Sequence, residues 1–196
     1  MNIAKRIFII LIIQTAVLLS IIAIRQWTLN TGDIITLKTT PIDPRSLFSG
    51  DYVILNYEIN AIPVSKDLIA NKDLITNKDL NTSKDLIDSI KANETVYVVL
   101  VPKGQYWVAE SIQMNRPEVS KPKIVIKGQV ESKTADKIFV NYGIENYFIP
   151  EGEGKTLERP KPKEVITVKV AVDRFGNAAI AGVFVNDKEI YKEKLF

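Results

Sequence analysis

From Ile7 to Ile24 the chain reads IFIILIIQTAVLLSIIAI, with no charge and only Gln14, Thr15 and Ser20 as polar interruptions. About 18 such residues are enough to carry a helix across the hydrocarbon of a bilayer. The segment therefore removes itself from any water-soluble core and confines the globular fold to the residues after it. Lys5 and Arg6 precede it, and Arg25, Gln26 and Trp27 come next, the tryptophan being suited to the membrane–water interface. A cleaved signal peptide is one competing reading, although the apolar run is long for one and no Ala-x-Ala site is present behind it. A buried helix of a soluble protein is another. The expectation is an uncleaved anchor over residues 1–27. Its basic leader favours a cytoplasmic N-terminus, diluted by Arg25, Lys38 and Arg45 on the other side. The protein is thus expected in the cell membrane as a single-pass protein, with residues 28–196 extracytoplasmic. Gln14 and Thr15 sit mid-helix, where they can bond a neighbouring helix of a membrane-protein partner or be tolerated alone.

The remainder is long enough for one domain with a real core. The chain has 196 residues, a formal net charge of +3 and no cysteine or histidine. Disulfides, thiolate catalysis and cysteine-ligated metals are excluded. So are Ser-His-Asp and Cys-His mechanisms, together with the commonest metal ligand. A metal would have to be a hard cation on carboxylates, and no run of alternating Asp and Asn with a central Gly provides for one. No cofactor or metal is expected. The weak net charge, with lysines spread along the chain, argues against nucleic acid.

The soluble part reads as strands. Ile34 to Thr39, Thr95 to Val101, Gln105 to Ile112, Lys123 to Glu131, Lys137 to Tyr142, Val165 to Val172 and Ala178 to Val185 all carry strand formers between turn residues. Pro102-Lys103-Gly104 and Asp173 to Asn177 are expected to turn hairpins, and a short last strand is expected around Ile190. Thr167 to Val172 alternates polar and apolar, which predicts one wet and one buried face. Residues 40–49 read as a loop, and 156–158 as the start of one helical turn.

The segment Lys66 to Ser89 repeats with a strict period of six, placing Leu68, Leu74, Leu80 and Leu86 in register. A six-residue step turns an α-helix by about 240°, so these leucines would not share a helical face. A left-handed β-helix would need many more turns. A duplicated surface insertion over 65–92 fits best, its last copy able to form a short helix from an N-cap at Ser83 to about Ala92. The fold class expected is mainly β: an antiparallel sandwich or barrel-like soluble domain, one N-terminal transmembrane helix and little other helix.

Gly50-Asp51-Tyr52-Val53-Ile54-Leu55-Asn56-Tyr57 is a tight turn feeding a strand that runs to Ile59. Tyr52 and Tyr57 are an odd number of residues apart and should point to opposite faces of an ideal strand. Asp43-Pro44-Arg45-Ser46-Leu47 leads into this run. Tyr142-Gly143-Ile144-Glu145 and Phe148-Ile149-Pro150-Glu151-Gly152-Glu153-Gly154 form a second block, and Val172 to Ala178 a third. In this order the three blocks resemble the GDYXXLXY family of membrane-anchored bacterial proteins. The resemblance implies location and architecture and carries no assigned reaction.

Candidate binding residues are Asp43, Arg45, Asp51, Tyr52, Tyr57, Glu145 and Glu151, which gather in or beside the motif loops. Arg45 suits bidentate capture of a carboxylate, or it pairs with Glu145 or Glu151 inside the fold. Asp43 and Asp51 suit backbone N–H bonding in turns. Gly50, Gly143, Gly152 and Gly154 read as turn glycines, since the 152–154 pair lacks the strand-to-helix context of a dinucleotide site. Tyr97, Tyr106, Trp107, Tyr142, Tyr147 and Phe148 form either a ligand platform or ordinary sheet packing. The expected function is a binding or scaffolding module of a membrane or envelope assembly, without catalysis. The alternative is an envelope hydrolase. It would use a carboxylate mechanism or a Ser-Lys pair of the signal-peptidase kind, built on Ser46 or Ser49; a lysine base would need burial to lose its proton.

Overall fold

A computed structural model describes residues 3–40, 52–63, 90–148, 165–186 and 188–192. Among the described residues one α-helix, α1 (Ile3–Thr31), precedes twelve strands: β1 (Asp33–Thr40), β2 (Tyr52–Ile54), β3 (Asn56–Tyr57), β4 (Ala61–Pro63), β5 (Thr95–Lys103), β6 (Tyr106–Gln113), β7 (Ile124–Lys133), β8 (Lys137–Asn141), β9 (Asn146–Phe148), β10 (Ile166–Val172), β11 (Ala178–Val185) and β12 (Lys188–Lys192). The protein is mainly β with one apolar helix at its N-terminus, as expected.

Every strand pairing is antiparallel. One five-stranded sheet has the order β12-β11-β10-β1-β3, a second β4-β8-β7-β5-β6, and β2 and β9 form a separate ribbon. The alternating strands of both sheets contribute to one core: Ile35 and Leu37 of β1 and Val168 and Val170 of β10 from the first, Val96, Val98 and Leu100 of β5 and Ile126 of β7 from the second, all fully buried. Burying such β-branched and leucine side chains is worth about 1.5–3 kcal/mol each, which supplies a disulfide-free domain with its main stabilisation.

Three local expectations are corrected. The strand predicted from Tyr52 to Ile59 is broken into β2, β3 and a 3-10 turn at Glu58–Asn60. The chain changes partner at Leu55: β2 pairs with β9, whereas β3 pairs with the end of β1. The Asn60 Oδ1 then accepts the Tyr57 amide at 2.6 Å, so a side chain takes the bond a ladder would have made. Next, β10 is not wet on one face. Lys169 alone is exposed, while Thr167 and Ala171 are buried. The end of α1 lies against β10 and β11, and the small pair Ala171 and Ala179, opposite each other in register, leaves room for it. Finally, residues 90–94 form a turn, not the end of a helix. The rest of that predicted helix, the repeat, the 40–49 loop and the 156–158 turn lie outside the described residues.

The helix has a mean hydropathy of 2.9 over its best window, and none of that window is buried by the rest of the chain. It is long and apolar enough to cross a membrane, and it is not a buried core helix. Only Thr28 in α1 is buried. The Gly32 amide closes the last turn on the Thr28 carbonyl at 2.9 Å. A Cβ at Gly32 would stand 2.6 Å from that carbonyl oxygen and 2.9 Å from the Val172 amide, so glycine is what lets the helix end meet β10 this closely.

Candidate functional site

Two polar clusters stand out because they join elements distant in sequence. The first lies where the corner from β3 to β4 meets the turn after β8. Burial of Glu145 is nearly complete. Its Oε1 accepts the Tyr142 amide at 2.7 Å and Asn60 Nδ2 at 2.9 Å, and its Oε2 accepts the Ile144 amide at 2.9 Å. Asn60 Nδ2 also donates to the Val140 carbonyl at 2.7 Å. The Glu145 carbonyl receives the Leu55 amide at 2.6 Å. Two tyrosines cross-link the same region: the Tyr57 hydroxyl donates to Ile144 O and the Tyr142 hydroxyl to Ile59 O, each at 2.8 Å. Burial, and then the nearby Glu145 carboxylate, push both phenols well above the ordinary tyrosine value. They therefore stay protonated as donors. Gly143, at φ +77, supplies the left-handed turn that folds Ile144 and Glu145 back under Tyr142.

The second cluster ties α1 to the loop between β10 and β11. Asp173 Oδ1 accepts the Phe175 amide at 2.8 Å and the Asn177 amide at 3.0 Å, an Asx-type arrangement. Its Oδ2 accepts Asn177 Nδ2 at 3.0 Å and the Thr28 hydroxyl at 2.9 Å, the latter bond buried. Burial alone would raise this carboxyl. The bonds from Asn177, Thr28 and the two amides outweigh it and hold Asp173 below the ordinary aspartate value.

Among the candidate residues, the structure brings Tyr57 and Glu145 together in the first cluster, fully engaged within the fold. Tyr52 lies in β2, paired with Phe148; its side chain lies outside the described residues. So do Asp43, Arg45, Asp51 and Glu151, with Ser46 and Ser49 of the hydrolase alternative. Of the aromatic residues, Tyr142 and Tyr147 are buried and Trp107 packs on the core. Sequence reasoning missed Asn60, Thr28 and the carboxylate of Asp173. An Asp four residues before an Asn across a Phe-Gly turn is a legible Asx signal; Thr28, just beyond an apolar run, carries none.

Two adjacent clefts open beside these clusters. One, of about 480 Å³, is lined by Thr95, Lys127, Gln129, Asn141 and Tyr142 among others. The other, of about 250 Å³, lies between Ile21, Ile24, Arg25 and Thr28 of α1 and Ile144, Asn146 and Ala178 to Ile180 of the domain. Both are open and polar. Among the described residues, no three His, Cys, Asp or Glu side chains gather as a metal site.

An apolar N-terminal helix clamped by a buried aspartate to a two-sheet antiparallel domain, whose corner is locked by a Tyr-Glu-Asn network, defines a helix-tethered β module. The chain belongs to the GDYXXLXY protein family, whose model matches residues 14–183, most of its length. No curated protein and no solved structure matches it.

Proposed function

We propose that this is a single-pass membrane protein whose β domain stands outside the cytoplasm and serves as a binding or scaffolding module of a membrane or envelope assembly, without catalysis. The carrying observation is the buried Thr28–Asp173 bond. A buried side chain contributed by the helix to the domain supports retention of the helix, since removal of a leader would leave the Asp173 carboxylate one donor short. The fully exposed apolar surface of α1 supports a lipid environment for it. A domain bonded to the end of its anchor presents its loops close to the membrane, which suits a scaffold. Arg45 and the acidic residues Asp43, Asp51 and Glu151 remain the proposed partner-facing set.

The test is purification of the tagged full-length protein in mild detergent, beside its Arg45→Ala variant. An intact mass that includes residues 1–27, and a membrane protein that co-purifies with the wild type and is lost with the variant, are expected. A mass lacking the helix would overturn the anchor. The same absence of partners in both samples would overturn the scaffold.

A further inference from the structure

Apolar exposure on the β domain is concentrated where α1 enters it. Among the described residues beyond the helix, the two most exposed large apolar side chains are Phe175 (54%) and Ile34 (52%). Phe175 is in the β10–β11 loop that bonds Thr28, and Ile34 is the second residue of β1, directly after the helix. Trp27, 56% exposed, completes the group from the helix itself.

The height of this group is set by the helix. Thr28 is four residues past Ile24, so at about 1.5 Å per residue it lies roughly 6 Å beyond the end of the apolar run. The polar layer on each side of the hydrocarbon is of similar depth, about 5–8 Å. Asp173 Oδ2 holds Thr28 at 2.9 Å, and Asp173 Oδ1 holds the Phe175 amide at 2.8 Å. The loop tip is thus fixed at the level of Thr28.

Charge agrees. The Arg174 guanidinium lies over the Phe175 ring, 4.7 Å from its centroid, and Arg116 donates to the Arg174 carbonyl. Two carboxylates beside the helix end are already engaged: Asp173 is buried in its own bonds, and Asp33 is paired with Lys121 at 2.9 Å. An exposed aromatic flanked by arginines matches the headgroup layer of an anionic bilayer.

We propose that the β10–β11 loop is a second membrane contact, in which Phe175 enters the interface of the bilayer crossed by α1 while Arg174 and Arg116 meet lipid phosphates. This rests on the reading of α1 as a membrane span. The contact fixes the tilt of the domain, since two points beside each other on the lipid surface remove the freedom that a single tether leaves.

The chain has no cysteine, so single-cysteine variants carry an environment-sensitive fluorophore at one site each. Phe175→Cys, Ile34→Cys, Ile12→Cys within the helix and Lys137→Cys at the start of β8 are reconstituted as full chains in vesicles of phosphatidylcholine and phosphatidylglycerol. Lipids bearing a quencher near the headgroup or deep in the chain report depth. Labels at 175 and 34 are expected to shift to the blue and to be quenched by the shallow quencher. The label at 12 should be quenched by the deep one and the label at 137 by neither. A deep label at 12 with labels at 175 and 34 indistinguishable from 137 overturns the contact and leaves the anchor standing. A label at 12 that neither quencher reaches overturns both.

Discussion

At the scale of single residues, Glu145 has a more specific role than a surface acid. Its two oxygens accept three donors from two segments, and among the described residues no buried side-chain N or O atom lacks a partner. Removing one end of such a network leaves buried donors unpaired, which is costlier than the bonds are worth on balance. Glu145→Ala is therefore expected to destabilise the protein by about 2–4 kcal/mol, and Tyr57→Phe, which orphans only the Ile144 carbonyl, by about 1–2 kcal/mol. Denaturant midpoints of the full chain in mild detergent check the order; equal midpoints for Glu145→Ala and wild type would remove the network from the account of stability. Tyr57 and Glu145 were singled out in the sequence because both stand in the blocks that resemble the family's motifs. Their mutual placement was not, because it depends on the partner change at Leu55, a long-range event without a local signal.

At the scale of elements, the long strands could be read directly. β1, β5, β6, β7, β8, β10 and β11 fall within two residues of their expected ends, since eight or so alternating positions outweigh local noise. β4 and β9, three residues each, were not read; so few positions carry no period. The wet face expected of β10 was wrong: the helix end, an element of a different period, packs against β10 and β11, and Thr167 at the far end of the strand is buried as well. The loop between β10 and β11 is where a pH dependence belongs. Asp173 in the fold lies below its unfolded value, so its contribution is complete above the unfolded value and is lost as pH falls through the folded one. Wild-type stability should fall as pH drops below the ordinary aspartate range, and Asp173→Asn should flatten that part of the profile while starting from lower stability at neutral pH. Thermal midpoints recorded along an acid series decide it; parallel profiles would mean that other carboxylates govern the acid limb.

At the scale of the whole molecule, the six-residue repeat enters between β4 and β5, strands that are not neighbours in their sheet. A connection of this kind adds mainly loop entropy. Deleting one copy, Lys72 to Asn77, should change stability by only about 0.2 kcal/mol. A deletion that unfolds the protein would show that the repeat packs on the domain. The apolar run by itself determined one long helix outside the water-soluble core, and residue alternation determined an antiparallel β domain, because both are one-dimensional signals read directly along the chain. The missing cysteine and histidine determined which chemistries are closed. Tertiary structure alone decided that the end of the helix is bonded to the domain. The Thr28–Asp173 bond joins residues 145 positions apart, and a hydrogen bond between short polar side chains leaves no periodicity, charge run or composition from which either partner could be foretold.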